Sequence, residues 1–309
     1  MLKAALLRAL LDVTDSLRAT LPRATGHFAD IYSGRQMGSD SLRTASRRLT
    51  ASDLSMNSAF EMQHNKYPSK ADCIFCKIAA DLAPATVLAD WPDGMGIKPL
   101  NPVSPGHSMA IPKVHVANVG IDPELSGRMF ALAMELARGR RDVNLITNCG
   151  PEASQTIFHL HVHVSDTLPL PWTGQQKSEP LPKSISGCRG CDIVYGFSPA
   201  PDVRVWRDAR AIEPLNPVAP GHVMIVPNRH VDDITKHPDL MATMMTRAAE
   251  LAAGYTNANV ITSLSNLTQT VRHPHAHVVP RTSGDGLQLP WTPQLARLES
   301  SAATLKPRH

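Results

Sequence analysis

A chain that carries one ordered set of landmarks twice is restricted to folds in which a small unit is built twice over. Cys73-Ile-Phe-Cys76 returns as Cys188-Arg-Gly-Cys191, 115 positions later. Pro99-Leu-Asn-Pro-Val-Ser-Pro-Gly-His107 returns as Pro214-Leu-Asn-Pro-Val-Ala-Pro-Gly-His222 at the same offset, and His115 returns as His230. Gln155-Thr-Ile-Phe-His159-Leu-His161-Val-His163 returns as Gln269-Thr-Val-Arg-His273-Pro-His275-Ala-His277, at an offset of 114. Leu-Pro-Trp172 and Leu-Pro-Trp291 close the two copies. Several landmarks in the same order at a nearly constant offset establish a duplication. Ten of the 14 histidines belong to it; His27, His64, His237 and His309 do not.

The boundaries follow from the repeat. One copy spans 72–174 and the other 187–292, with a polar linker at 175–186 that holds two prolines. Residues 1–65 match neither copy and read as an extension, mobile or partly helical, or as sequence upstream of a start at Met56 or Met62. Residues 293–309 form a tail. Side chains alternate from His159 to Val164, which predicts a strand with the three histidines on one face. Ser108–Ile111 and Val223–Val226 read as strands, as does Val143–Asn148. Pro123–Arg141 carries Leu125, Met129, Leu132, Ala133 and Leu136 on one stripe and reads as a helix, and Pro238–Gly254 is its counterpart. Each copy is then α+β, an antiparallel sheet with one main helix.

Composition sets limits on function. The chain is 42% hydrophobic and 19% charged with a formal net charge of +4, values of a folded rather than a disordered protein. No run of eighteen apolar residues occurs, so no membrane span or membrane partner is expected. Four of the five cysteines fall in two Cys-x-x-Cys pairs, which argues for metal in a reducing, cytoplasmic setting rather than for disulfides.

Three histidines at i, i+2 and i+4 point into one cleft. A neutral imidazole is a nucleophile near pH 7 when its second nitrogen is held as a donor to a fixed acceptor. Phosphorus is a natural electrophile for it, and neighbouring imidazoles can donate to phosphate oxygens or to the leaving group. A single such strand serves equally well as a metal site. Two copies, each preceded by Gln-Thr and by a distant Gly-His, favour catalysis.

The ordered set of Cys-x-x-Cys, Pro-Gly-His, Ile-Pro-x-x-His and Gln-x-x-x-His-x-His-x-His resembles the histidine triad (HIT) superfamily of nucleotide hydrolases and transferases, over about two thirds of the chain. The resemblance implies that His161 and His275 are nucleophiles that attack the α-phosphorus of a nucleotide and form a nucleotidyl-histidine. It implies that His163 and His277 assist at the phosphate and leaving group. Gln155, Thr156, Gln269 and Thr270 would line the phosphate site, Asn148 would contact the nucleotide, and His107 and His222 would support the triads. It also implies two structural zinc ions per chain, one on Cys73, Cys76, His115 and His159, the other on Cys188, Cys191, His230 and His273.

The expected activity is hydrolysis of a phosphoric ester, anhydride or phosphoramide of a nucleotide. Nucleotidyl transfer, or nucleotide binding without turnover, is the alternative. The expected partner is a nucleotide or its conjugate. Nucleic acid is not expected, because the linker is short and not basic. The two copies are expected to pair within a monomer as a pseudo-dimer, with the Trp172 and Trp291 segments as candidates to cross between halves.

The chain departs from the family pattern in four respects. Pro99 and Pro214 stand where members carry an acidic residue for ribose. Ser263 replaces Asn148 in the second copy. Pro274 interrupts the second triad, where it removes one ladder donor. Ser165-Asp166 follows the first triad in place of Pro-Arg, which the second copy keeps as Pro280-Arg281.

Overall fold

The computed structural model of this chain describes residues 67–166, 183–265 and 271–291. The expected extension at 1–65, most of the linker, Gln269, Thr270, Trp172 and the tail lie outside the described residues. Within them the first repeat runs α1 (Ile74–Ala79), β1 (Val87–Asp90), β2 (Gly94–Ile97), β3 (Ser108–Pro112), α2 (Pro123–Leu136), β4 (Asp142–Cys149) and β5 (Val162–Asp166). The second repeats that order as α3 (Arg189–Val194), β6 (Asp202–Val205), β7 (Ala209–Ile212), β8 (Val223–Pro227), α4 (Pro238–Ala252), β9 (Ala258–Ser265) and β10 (Ala276–Pro280).

All ten strands form one antiparallel sheet in the order β1-β2-β3-β5-β4-β9-β10-β8-β7-β6. The halves join where β4 pairs with β9 over eight residue pairs, Asp142 with Ser265 through Cys149 with Ala258. Ile146 lies opposite Ile261, and these two are equivalent in the duplication. The pseudo-twofold axis therefore passes between them, as it would in an isologous dimer of single copies. The expected pairing of the two copies within one chain is met by backbone hydrogen bonds across this seam.

Both main helices cover one face of the sheet. Pro123 occupies the first turn of α2 and the Asp122 carboxylate accepts the Leu125 N–H, so the start of the helix is set by a proline and a side-chain cap. The helix ends at Leu136, short of the expected Arg141, because Gly139 adopts φ +79°. Helix α2 crosses α4 closely. A Cβ placed on Gly127 would lie 2.2 Å from Thr246 Oγ1 and 2.4 Å from the Ala242 carbonyl oxygen. Leu125, Met129, Phe130, Met241, Met244 and Met245 are buried between the helices and the sheet, in one core that draws on both repeats. On the opposite face, away from the two main helices, Ile146, Ile261, Val279 and Leu289 cluster about the axis. The histidines lie on that face.

The strand expected from His159 to Val164 begins later, at Val162. His159 and His161 precede it in extended backbone, held by the Leu160 N–H on the Val116 carbonyl at 2.6 Å and by Thr147 Oγ1 on the His161 carbonyl at 2.6 Å. This later start explains why Pro274 is tolerated. It sits two residues before β10, where it forgoes only the bond that Leu160 makes.

Candidate active site and metal clusters

The triad begins with the backbone. His161 Nδ1 lies 2.7 Å from the His159 carbonyl oxygen. A carbonyl can only accept, so Nδ1 carries the proton and Nε2 keeps its lone pair. His275 repeats this against the His273 carbonyl at 2.7 Å. Burial pushes both imidazoles below their ordinary value, and these carbonyl bonds oppose the shift only in part. Both rings are therefore neutral near pH 7, with one nitrogen free to attack.

The third histidine is set by a relay. The Val103 N–H donates to His107 Nδ1 at 3.1 Å, so the His107 proton is on Nε2. That Nε2 donates to His163 Nδ1 at 3.0 Å, which leaves His163 with its proton on Nε2 as a donor. Val218, His222 and His277 repeat the chain at 3.2 and 3.0 Å. Burial lowers His107 and His222 to about 4, and Arg140 adds to the effect at His107. His163 and His277 are held well below the usual histidine range, first by burial and then by the neighbouring imidazoles. Each triad thus presents an acceptor nitrogen on the middle ring and a donor nitrogen on the third. The two rings stand edge to face, with centroids 4.8 Å apart in the first repeat and 5.2 Å in the second.

The surroundings of the two triads differ. The Phe75 ring stands edge-on to His161 at 5.4 Å. Its counterpart is Gly190, where a Cβ would lie 2.3 Å from His273 Cγ, so α3 approaches the second histidine strand too closely for a side chain. Trp291, from the end of the second repeat, lies on His163 of the first with centroids 4.4 Å apart and planes 33° from parallel. The crossing expected of this tryptophan is therefore made. Asp166 stands opposite Val143 just as Pro280 stands opposite Ala258, and it accepts from Arg140 and from the Gly106 N–H at 3.1 Å. Asp166 thereby fastens the Pro-Gly-His turn that carries His107.

The loop after β4 is tightly determined. Gln155 Oε1 accepts the Gly150 N–H at 2.9 Å, while Nε2 donates to the Ala117 and Ile157 carbonyls at 2.7 and 3.2 Å. Asn148 is 2% exposed, donates to the Ser154 carbonyl at 3.3 Å, and accepts from Asn259 Nδ2 at 2.8 Å. Gln155, expected at the phosphate, thus spends its polar atoms on the loop and its flank, and Asn148, expected at the nucleotide, spends its own on the loop and on Asn259. Thr156 is exposed at its end.

Behind each triad sits a Cys2His2 cluster. Cys73, Cys76, His115 and His159 form one and Cys188, Cys191, His230 and His273 the other, with ligand atoms all within 4.8 Å of one another. Short helices α1 and α3 start at the first cysteine of each pair, which brings both thiols to one side. His159 Nε2 donates to the Pro112 carbonyl at 3.0 Å, which turns an unprotonated Nδ1 toward Cys73 Sγ at 3.4 Å and Cys76 Sγ at 3.6 Å. His273 does the same through the Pro227 carbonyl at 2.8 Å, and its Nδ1 lies 3.2 Å from His230 Nδ1. Tetrahedral zinc at about 2.3 Å from sulfur and about 2.0 Å from nitrogen requires ligand separations of roughly 3.3–3.8 Å. The sulfur–nitrogen contacts at His159 match that range, the 3.2 Å contact between His230 and His273 lies just under it, and the lone pairs of His159 and His273 face the clusters. Burial raises the Cys76 thiol, and burial with the adjoining Cys188 thiol raises Cys191 to about 11. A bound cation is the natural compensation for such thiols. The clusters can hold metal, and the donor set fits zinc.

The sequence model of the HIT domain matches this chain twice, at residues 82–166 and 203–284. Protein HitA of Neisseria gonorrhoeae is 37% identical over 103 residues, covering 31% of this chain and 96% of that protein. The adenosine 5'-monophosphoramidase hnt1 of Schizosaccharomyces pombe is 33% identical over 98 residues, covering 30% of this chain and 71% of that protein. An ADP-glucose phosphorylase of Arabidopsis thaliana, solved with bound ADP-glucose, superposes with a TM-score of 0.51 over 72% of this chain and 84% of that one. It is 15% identical, which speaks to the fold alone. With two matched domains, two triads and a shared sheet, this chain belongs to the HIT family as a tandem duplication.

Proposed function

We propose that this protein is a nucleotide hydrolase that works through a nucleotidyl-histidine. The observation that carries the reading is the fixed direction of the protons in each triad. His161 Nε2 is the only triad nitrogen left as an acceptor toward the cleft in the first repeat, and His275 Nε2 is its counterpart. In the proposed reaction Nε2 attacks the α-phosphorus, a nitrogen–phosphorus bond forms, and the bond to the leaving group breaks. His163 Nε2–H, held by His107, donates to the phosphate oxygen and to the departing atom as charge develops there. Water then attacks the phosphorus and releases His161. His277 and His222 play these parts in the second repeat.

Asn148, Gln155 and Thr156 shape the phosphate loop, the first two by positioning its backbone. Gln269 and Thr270 are the corresponding residues in the second repeat. Zinc in each Cys2His2 cluster would tie the helix of the Cys-x-x-Cys pair to the histidine strand, a structural part that a reducing, cytoplasmic setting preserves. Similarity to an adenosine 5'-monophosphoramidase supports a nucleoside phosphoramidate as substrate. Nucleotidyl transfer is the second reading, since the same intermediate can pass to an acceptor other than water.

The test is turnover of nucleoside phosphoramidates and dinucleoside polyphosphates, with mass analysis of the trapped adduct. Loss of turnover in the His161→Ala, His275→Ala double variant is expected. Full activity in that variant overturns the proposal.

A further inference from the structure

The loop that leads from β4 to the first triad is built on the second repeat. A Cβ on Gly150 would lie 2.2 Å from both Asn257 Oδ1 and the Thr256 carbonyl oxygen, and Gly150 has φ +81°, so glycine is required twice over. The Glu152 N–H donates to Asn257 Oδ1 at 3.1 Å. Behind this seat lies a chain of polar groups. Arg281 is 8% exposed and spends Nε and Nη2 on Asp285 and on the Leu287 carbonyl. Its Nη1 donates to Asn259 Oδ1 at 2.5 Å. Asn259 is fully buried, and its Nδ2 donates to Asn148 Oδ1 at 2.8 Å and to the Ala153 carbonyl at 3.0 Å. Asn148 Nδ2 then donates to the Ser154 carbonyl at 3.3 Å.

The direction of this chain is forced. A guanidinium only donates, so it fixes which end of the Asn259 amide faces it. That choice turns both Asn259 amide hydrogens toward the first repeat, and so fixes the Asn148 amide as well. Two successive loop carbonyls end up held, Ala153 by Asn259 across the seam and Ser154 by Asn148, which Asn259 orients, and Ser154 keeps the positive φ of +68° that such holding permits.

We infer that Arg281 of the second repeat is a positioning residue for the phosphate loop of the first repeat's site, acting through Asn259 and Asn148. The inference rests on the hydrolase reading for its effect on turnover, but its structural half stands apart from it. In the Arg281→Met variant, loss of a buried charge-assisted bond lowers the first site's kcat/KM for a nucleoside phosphoramidate, read in a His275→Ala background, by about ten- to a hundredfold. With His275 in place, formation of the adduct on the His161 peptide falls with it, and the adduct on the His275 peptide does not. Hydrogen exchange quickens in the peptide spanning 150–157 and stays unchanged in β5. Arg281→Lys, which keeps one donor, recovers part of each effect.

Asn259→Asp keeps the shape and the bond to Arg281 but removes both donors. It reproduces the Met variant's loop exchange, and it serves alone if Arg281→Met does not fold. Wild-type loop exchange and kcat/KM in a folded Arg281→Met or Asn259→Asp protein overturn the inference. If the wild-type chain turns over no nucleotide, the hydrolase reading falls, and loop exchange still decides the relay.

Discussion

Trp291 lies over His163, 4.4 Å between ring centroids and tilted by 33°, although the two belong to different repeats. The third histidine of the first triad is therefore gripped from two sides. His107 of its own repeat holds one ring nitrogen, and a tryptophan from the other repeat covers a ring face. Removing the indole frees the imidazole to tilt and lets water onto it. A ring pair of this kind is worth about 0.5–1.5 kcal/mol. In a His275→Ala background, Trp291→Ala is expected to lower kcat/KM by about two- to tenfold, and Trp291→Phe to restore most of it. Steady-state kinetics that leave Trp291→Ala at the wild-type value would remove the contact from the mechanism.

His107 decides which nitrogen of His163 carries a proton. Replacing it with alanine leaves His163 Nδ1 without its donor, so the ring can adopt the other tautomer. Read in a His275→Ala background, the expected loss is in kcat, on the order of ten- to a hundredfold, with KM changed little. His107→Gln, whose amide can donate from a similar place, is expected to lie between. A rise in KM at constant kcat would contradict the relay.

The two metal clusters predict two zinc ions per chain on elemental analysis. They also predict unequal release. His115 is buried, whereas His230 is exposed, with Asp232 near its outer nitrogen at 3.4 Å. A chelator is expected to take the ion held by Cys188, Cys191, His230 and His273 first, in two resolved kinetic phases. Cys191→Ser should abolish the fast phase and Cys76→Ser the slow one. Purified protein without zinc would refute both clusters as metal sites.

Stability should fall as pH drops from neutral. His107 and His222 ordinarily titrate near 6.5, and burial lowers both to about 4 in the folded chain. Between these values the unfolded chain binds protons that the folded chain excludes. Full stability is thus present above about pH 6.5 and is lost progressively toward pH 4. Thermal melts from pH 7.5 to 4.5 should show a falling Tm, with a shallower slope in His107→Gln. A Tm constant over that window would show that these rings are protonated in the fold.

Gly127 allows α2 to meet α4. Any larger residue drives a side chain into Thr246 and the Ala242 carbonyl. Gly127→Val is expected to cost about 1–3 kcal/mol, since overpacking moves backbone as well as side chains. Chemical denaturation reads the shift. Gly139→Ala, at a position with open space but positive φ, should cost less.

The duplication and the two triads were legible in the amino-acid order, as a constant offset and as alternation along a strand, and the two Cys2His2 sets followed from the resemblance to the family. Period-two alternation put His161 and His163 on one face, and Cys-x-x-Cys at the start of a short helix brought two thiols together. The start of the histidine strand was less legible. Val162 begins the ladder because pairing to β3 and β4 begins there, a matter of which partner strands reach that far. What only the tertiary structure decided lies across the seam. Ile146 opposite Ile261, Trp291 on His163, and Arg281 acting through Asn259 on Asn148 each join segments more than a hundred residues apart. No local period encodes such meetings. They follow from the antiparallel register of β4 with β9, which places two half-sheets about one axis and lets each repeat supply what the other's site lacks.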